Sequence, residues 1–289
     1  MNFEWHDIAD PFDPELDRLA ERYGLHPLHI EDCRHRDQSA KLEENGYIFA
    51  VLKPVVAKEG CELEIDDLDV FLGPGYLITV REGLHATVGP IIDRVRASAA
   101  AGRGDQAFYR IVDEVVDCYL PVIDAFSDAI DGLEDAVLEN PDPATLERIF
   151  DLKRGLAKLR RVLGNTRDVA GHLQRTESPL IARDMWPFLR DIYDHVARNL
   201  DRIESQRDVL NGSLDIYLSS VANRTNQVMK VLTVLSTVAL PALVISGIYG
   251  MNIRGLPWAE HPHGIVLVSL AMLASTLCLL LMLRMMKWF

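Results

Sequence analysis

The 289-residue chain carries 43 acidic and 30 basic side chains, a formal net charge of −13, and is 48% hydrophobic and 25% charged. Those averages exclude collagen-like, disulfide-scaffold and wholly disordered classes, and the acidity argues against a nucleic-acid partner, which needs a basic face. They also conceal a division: residues 231–289 hold only four charged side chains, Arg254, Glu260, Arg284 and Lys287 (net +2), which leaves −15 on residues 1–230.

Residues 1–104 mix helical and extended patterns and read as a small α/β domain. Met1–Asp17 is acidic and lacks the apolar run of a cleaved signal peptide. Pro14–Tyr23 and Pro27–Cys33 read as short helices. Tyr47–Leu52, Leu68–Leu72 and Tyr76–Val80 read as strands, the last two joined by the turn Gly73-Pro74-Gly75. The small, Gly-containing stretch Ala97–Gly104 marks a boundary. Residues 105–230 then read as a helical stalk: one helix from Asp105 to Glu139, ended by Asn140-Pro141, and one from Pro143 to Gln174, ended near Ser178-Pro179.

Pro187 suits the start of a third helix, and only Pro241 interrupts the 65 residues from there to Met251. At 1.5 Å per residue such a helix measures about 97 Å. Leu189, Ile192, Val196, Leu200, Ile203, Leu210, Leu214, Tyr217, Val221 and Val228 recur along it at steps of three, four or seven, a coiled-coil-like stripe. A helix of this length needs neighbours, so a homo-oligomer is expected.

Val231–Met251 gives 21 residues without charge and Ile265–Leu283 another 19, each long enough to cross a bilayer. The connection, residues 252–264, is short and contains Gly255, Pro257, Pro262 and Gly264, so the spans form a hairpin followed by a tail, residues 284–289. Arg224 and Lys230 precede the first span, and Arg284 and Lys287 follow the second. Both termini are therefore expected in the cytoplasm, as in a multi-pass protein of the inner (plasma) membrane. Cys33, Cys61, Cys118 and Cys278 form no CxxC pair, as suits a reducing compartment.

A second stripe follows another face of the long helix: Asp215, Ser219, Ala222, Asn226, Met229, Thr233, Ser236, Leu240, Leu243 and Gly247, with Asn252 beyond it. Periodicity leaves two readings open. Small residues allow tight packing of membrane helices. Alternatively, copies of the helix surround a water-filled pore, with Asp215, Asn226 and Asn252 as oxygen rings and Met229 and Leu240 as dry constrictions. There is no P-loop, GxGxxG, nucleophile elbow or HExxH, so no enzyme is expected.

Tyr249-Gly250-Met251-Asn252, placed before a short loop and a second C-terminal span, resembles the Gly-Met-Asn motif of the CorA-type divalent-cation transporters. Leu214–Thr233 (LDIYLSSVANRTNQVMKVLT) resembles that family's stalk-to-pore helix. Further resemblance lies at Gly24–Asp32 (GLHPLHIED), Arg190–His195 (RDIYDH) and Lys287-Trp288-Phe289.

The resemblance implies a funnel-shaped homopentamer in membrane lipid that passes Mg2+, and often Co2+ or Ni2+. It implies a selectivity ring of Gly250, Met251 and Asn252, whose amide oxygens hold the hydrated ion through its waters. Asp215, Asn226, Met229, Leu232, Leu240 and Gly247 would line the path, with Met229 and Leu232 at the hydrophobic gate. Glu31, Asp32, Asp113 and Asp191 match the carboxylates that sense cytoplasmic Mg2+ between neighbouring subunits.

Three features depart from the family pattern: Arg254 near the mouth, with Glu260 the only acid in the loop; Leu243 in place of a threonine; and a thin C-terminal basic cluster. Gly255-Leu256-Pro257 is closer to the zinc-transporting ZntB branch, and His261 and His263 add zinc-type ligands. Zn2+ transport in the manner of the ZntB-like branch, with or without proton coupling, is therefore the alternative, and a membrane-anchored coiled-coil scaffold without a pore is the alternative of another class. His26, His29, Cys33 and His35 have zinc-like spacing, but His26-Pro27 belongs to a helix start.

Overall fold

A computed structural model describes residues 3–35, 38–81, 88–99, 102–139, 142–251, 255–258 and 260–285. Asn252, Arg254 and Lys287 lie outside the described residues. The chain divides into two compact units, residues 1–216 and 217–289.

The strands of the first unit are β1 (Glu4–Ile8), β2 (Lys41–Glu44), β3 (Ile48–Leu52), β4 (Val55–Ala57), β5 (Leu63–Ile65), β6 (Leu68–Gly73) and β7 (Tyr76–Arg81). Five form one sheet in the order β1-β7-β6-β3-β2, in which only β1 and β7 run parallel; β4 and β5 pair separately. Strands β3, β6 and β7 are buried almost throughout, so they read as continuous apolar runs rather than alternating ones. Strand β1 has no such signal. Its polar sequence is held by long-range partners: Trp5 Nε1 donates to Thr79 Oγ1 at 3.1 Å, and Asp7 pairs with Arg81 at 3.1 Å. Gly73 is required at the β6–β7 turn, because a Cβ there would fall 2.0 Å from the Tyr76 ring.

Helices α1 (Pro14–Tyr23) and α2 (Pro27–Arg34) begin as their prolines predict. Asp13 caps α1 by accepting from Glu15 N, and Gly24 ends it in the left-handed region at φ +65°. His26 caps α2 through Nδ1, 3.2 Å from Leu28 N. Leu16, Leu19, Ile30 and Cys33 on these helices join Phe49, Phe71, Ile78 and Val80 of the sheet in one core. Each large apolar side chain so buried contributes about 1.5–3 kcal/mol.

The rest of the unit is helical: α3 (Val88–Ala99), α4 (Gly104–Asp117), α5 (Tyr119–Glu139), α6 (Pro143–Leu173) and the start of α7 (Trp186–Tyr249). The single helix expected from Asp105 to Glu139 is two. Pro121 lacks an N–H and its ring would clash with the Asp117 carbonyl, so α4 ends at Asp117 and Pro121 falls in the first turn of α5. Ala97–Ala99 belong to α3 rather than to a linker. Arg103 ties the start of α4 to the approach of α7, bonding Asp105 and Asp184 at 2.8–2.9 Å.

Among the described residues of this unit, Asp66, Asp69 and Asp105 carry buried carboxyls. Asp69 is buried on β6, and burial pushes its pKa from 3.8 up to about 7; nearby Asp67 adds to the rise, and the Cys33 hydrogen bond opposes it. Because the folded value exceeds the unfolded one, folding takes up a proton between about pH 4 and 7, and stability is lost as pH rises through 7. Asp69→Asn is therefore expected to raise the thermal midpoint of the full-length protein in detergent by about 3–6 °C at pH 8. The gain should shrink markedly at pH 5, which circular dichroism melts at the two pH values would check.

The second unit contains the C-terminal half of α7 and α8 (Gly264–Met285). Both helices are long and apolar enough to cross a membrane, with mean hydropathies of 2.2 and 2.6 over their most apolar windows. Pro241 sits within α7, yet the helix continues to Tyr249.

Candidate ion pathway and cation-sensing residues

The coiled-coil-like stripe of α7 changes character along the helix. Leu189, Ile192, Val196, Ile203, Leu210 and Tyr217 are buried, whereas Val221 and Val228 are exposed. The proposed pathway residues Asp215, Asn226, Met229, Leu232, Leu240 and Gly247 are all exposed. Exposure alone does not separate a pore from a lipid face, but composition distinguishes two faces of the helix. Val231, Leu235, Val238 and Ile245 form a purely aliphatic face, while Asn226, Thr233, Ser236 and Gly247 place small and polar groups on another. Thr233 Oγ1 donates to the Met229 carbonyl at 2.8 Å, which lets a hydroxyl sit on an apolar helix without a second partner.

At the end of α7 the amide of Gly250 still donates to the Ser246 carbonyl at 2.8 Å, and that of Met251 to Ile248 at 3.2 Å. A Cβ on Gly250 would press to 3.1 Å on the Ser246 carbonyl, so glycine suits the point where the chain leaves the helix. The Tyr249 hydroxyl donates to the Pro257 carbonyl at 2.7 Å, closing the connection back on the helix. In the loop, His261 Nδ1 accepts from the His263 amide at 3.2 Å, which occupies one nitrogen of that pair.

The four candidate sensing acids fall in two places. Glu31 is exposed and Asp32 half-buried on α2, where Asp32 Oδ2 accepts from Lys41 at 2.7 Å. Asp113 on α4 and Asp191 on α7 are close enough to interact, and Asp191 lies 3.5 Å from His195. Burial raises the pKa of Asp113, the Asp117 carboxylate raises it further, and the Tyr109 hydrogen bond at 3.2 Å opposes both. Tyr109 is in turn pushed up to about 12, first by burial and then by the Asp113 charge. Asp113, Asp117 and His195 present ligand atoms within 4.8 Å of one another.

Asp117 and His195 escape a reading of the sequence by motif. The signal was there in the spacing: Asp113 to Asp117 and Asp191 to His195 are both i,i+4 pairs, which share a helix face. The residues with zinc-like spacing are instead occupied locally. His26 caps α2, Cys33 is buried in the core, and His35 Nδ1 lies 2.9 Å from the Glu31 carbonyl. His29 is buried between Tyr47 and Glu43.

The family model of CorA-like Mg2+ transporter proteins matches residues 1–285. The chain belongs to that family. The cobalt/magnesium transport protein CorA of Thermotoga maritima is 36% identical over 279 residues, 94% of this chain and 79% of that protein. The complete CorA magnesium transporter structure from Methanocaldococcus jannaschii superposes with a TM-score of 0.85 at 25% identity, covering 100% of this chain and 94% of that one. Full-length CmaX gives 0.79 at 22% identity over 98% and 88% of the two chains, a likeness of fold alone. As a member of the CorA family the chain is a divalent-cation transporter, with an N-terminal α/β domain, a long helix and two C-terminal apolar helices.

Proposed function

We propose that this CorA-family chain imports Mg2+, with Co2+ and Ni2+ as further cargo, through a pore on the axis of a homopentamer. The asymmetry of α7 carries the pore reading: small and polar groups follow one face of an apolar helix, and Gly250-Met251-Asn252 comes next in the sequence. The relative at 36% identity, named for cobalt and magnesium, supports the choice of ions. In this reading residues 1–104 and 105–230 form the cytoplasmic head and stalk, 231–251 the pore helix, 252–264 the outer loop and 265–283 the second span, with both termini in the cytoplasm.

The ring at Gly250, Met251 and Asn252 holds the ion by its water shell. Mg2+ dehydrates reluctantly, and neutral amides grip it less firmly than carboxylates, so it can leave inward. Met229 and Leu232 form a dry gate that opens when the subunits lose symmetry. Glu31 and Asp32 of one subunit face Asp113 and Asp191 of the next, and Mg2+ bound between them holds the closed form. Ample internal Mg2+ thereby shuts the pore, provided that it binds the closed state better than the open one.

Ion competition tests this reading. In proteoliposomes with a Mg2+-sensitive dye, Co2+ and Ni2+ outside are expected to slow Mg2+ uptake, and an imposed pH gradient is expected to leave it unchanged. Uptake of Zn2+ without Mg2+, driven by a proton gradient, would overturn it in favour of a zinc transporter. Absence of any ion flux would favour the scaffold.

A further inference from the structure

Asp32 already has a cation. The Lys41 ammonium donates to its Oδ2 at 2.7 Å and to Glu43 Oε1 at 2.8 Å. Lys41 stands on β2, opposite Val51 of β3, and its Nζ lies 5.7 Å from the centre of the Phe49 ring. The pair is neither sealed nor loose, with side-chain exposures of 30% for Lys41 and 19% for Asp32. Glu31, Asp32, Lys41, Glu43 and Glu44 share one cavity of about 520 Å3, so a hydrated ion has room to reach both carboxylates of α2.

The lysine is held there from the core. The Tyr47 hydroxyl accepts from the His26 amide at 2.8 Å and lies 2.7 Å from His29 Nδ1, while His29 Nε2 lies 3.0 Å from Glu43 Oε2. A carboxylate accepts only, so His29 donates to Glu43 through Nε2. Glu43 is thereby fixed beside Lys41, and Lys41 beside Asp32.

We propose that Lys41 is a tethered competitor at the sensing site: its ammonium occupies Asp32 when internal Mg2+ is low, a divalent cation must displace it to bind, and Lys41 thereby sets the concentration at which the pore closes. This rests on the reading of Asp32 as a sensing carboxylate. A tethered ammonium has a high effective concentration at its partner, so it outcompetes a free monovalent ion of the same charge. A divalent ion has twice the Coulomb attraction to the carboxylates and displaces it. Displaced Lys41 keeps Glu43 as its partner, so the exchange strands no buried charge.

The experiment measures the internal Mg2+ concentration that halves uptake by the full-length protein in proteoliposomes. Lys41→Met is expected to lower it by about five-fold, the scale of one partly exposed ion pair. Lys41→Arg, which keeps the charge, is expected to stay within about two-fold of the parent by the same scale. In an Asp32→Ala background Lys41→Met is expected to have no further effect. An unchanged or raised half-inhibitory concentration in Lys41→Met, with Asp32→Ala still active as a desensitising change, overturns the competitor role and leaves the sensor standing. If Asp32→Ala and Lys41→Met are both silent, the sensor reading itself fails, and the competitor with it.

Discussion

Replacing Asn252 by alanine is expected to cut Mg2+ uptake at least about ten-fold in a liposome flux assay while the protein still assembles. The size follows from the ring. A hydrogen bond to a charged or strongly polarised partner is worth about 1.5–3 kcal/mol, and 1.4 kcal/mol already corresponds to ten-fold. In the proposed ring every subunit would lose its amide at once, so all the acceptors for the waters around the ion would go together. The fold of each chain should survive, because the stripe from Leu189 to Tyr217, buried within the chain, is not touched; size-exclusion chromatography of the variant checks that assembly is kept. Asn252→Asp gives the complementary result. A ring of carboxylates holds the ion more tightly, so flux should saturate at lower Mg2+ but with a reduced maximum. Undiminished flux through Asn252→Ala would sink the selectivity ring.

How much of this was legible in the residues differs from element to element. Helices α1, α2 and α6 announce themselves by Pro14, Pro27 and Pro143 at their first positions, and both apolar helices by their length without charge. Strands β3, β6 and β7 show as apolar runs because the sheet is covered on both faces. Strand β1 does not, since its stability comes from Thr79 and Arg81, more than seventy residues away. The break at Cys118 was written in the sequence by Pro121, but a proline two residues inside a new helix is easily taken as a tolerated one.

The site divides in the same way. The two faces of α7 follow from periodicity because a helix repeats its faces regularly, while the proposed pathway positions on it come from the family resemblance. The proposed sensing acids do not follow from periodicity, because they stand on α2, α4 and α7, and the Lys41 that meets Asp32 stands on β2. Lys41 is nine residues from Asp32 and on a different kind of element, so no helical or strand spacing predicts their contact. His195 and Asp117 carry a local spacing signal, but only the packing of α4 beside α7 shows that the two i,i+4 pairs meet.

Joint replacement of Asp32, Asp113 and Asp191 by alanine is expected to raise the internal Mg2+ needed for half-inhibition at least about ten-fold. The argument is one of differential binding: a ligand shifts a two-state equilibrium only as far as its affinities for the two states differ. If Mg2+ favours the closed form because these acids meet across subunits there, removing them removes the difference. The basal state then carries a second message. Asp113 already feels Asp117 and Asp191 within one subunit, and burial makes its ionised form costly. In the proposed sensor the same charges would repel between subunits, and without Mg2+ that repulsion would favour opening. Alanine deletes the repulsion as well as the ligands. Where repulsion is the opening force, the triple variant should therefore conduct less than the parent in Mg2+-free lumen while failing to respond to added Mg2+. Where opening is instead intrinsic to the pore helices, it should conduct fully at every internal concentration. Flux measured from zero to saturating internal Mg2+ separates the two outcomes, and a parent-like inhibition curve would place the sensor elsewhere.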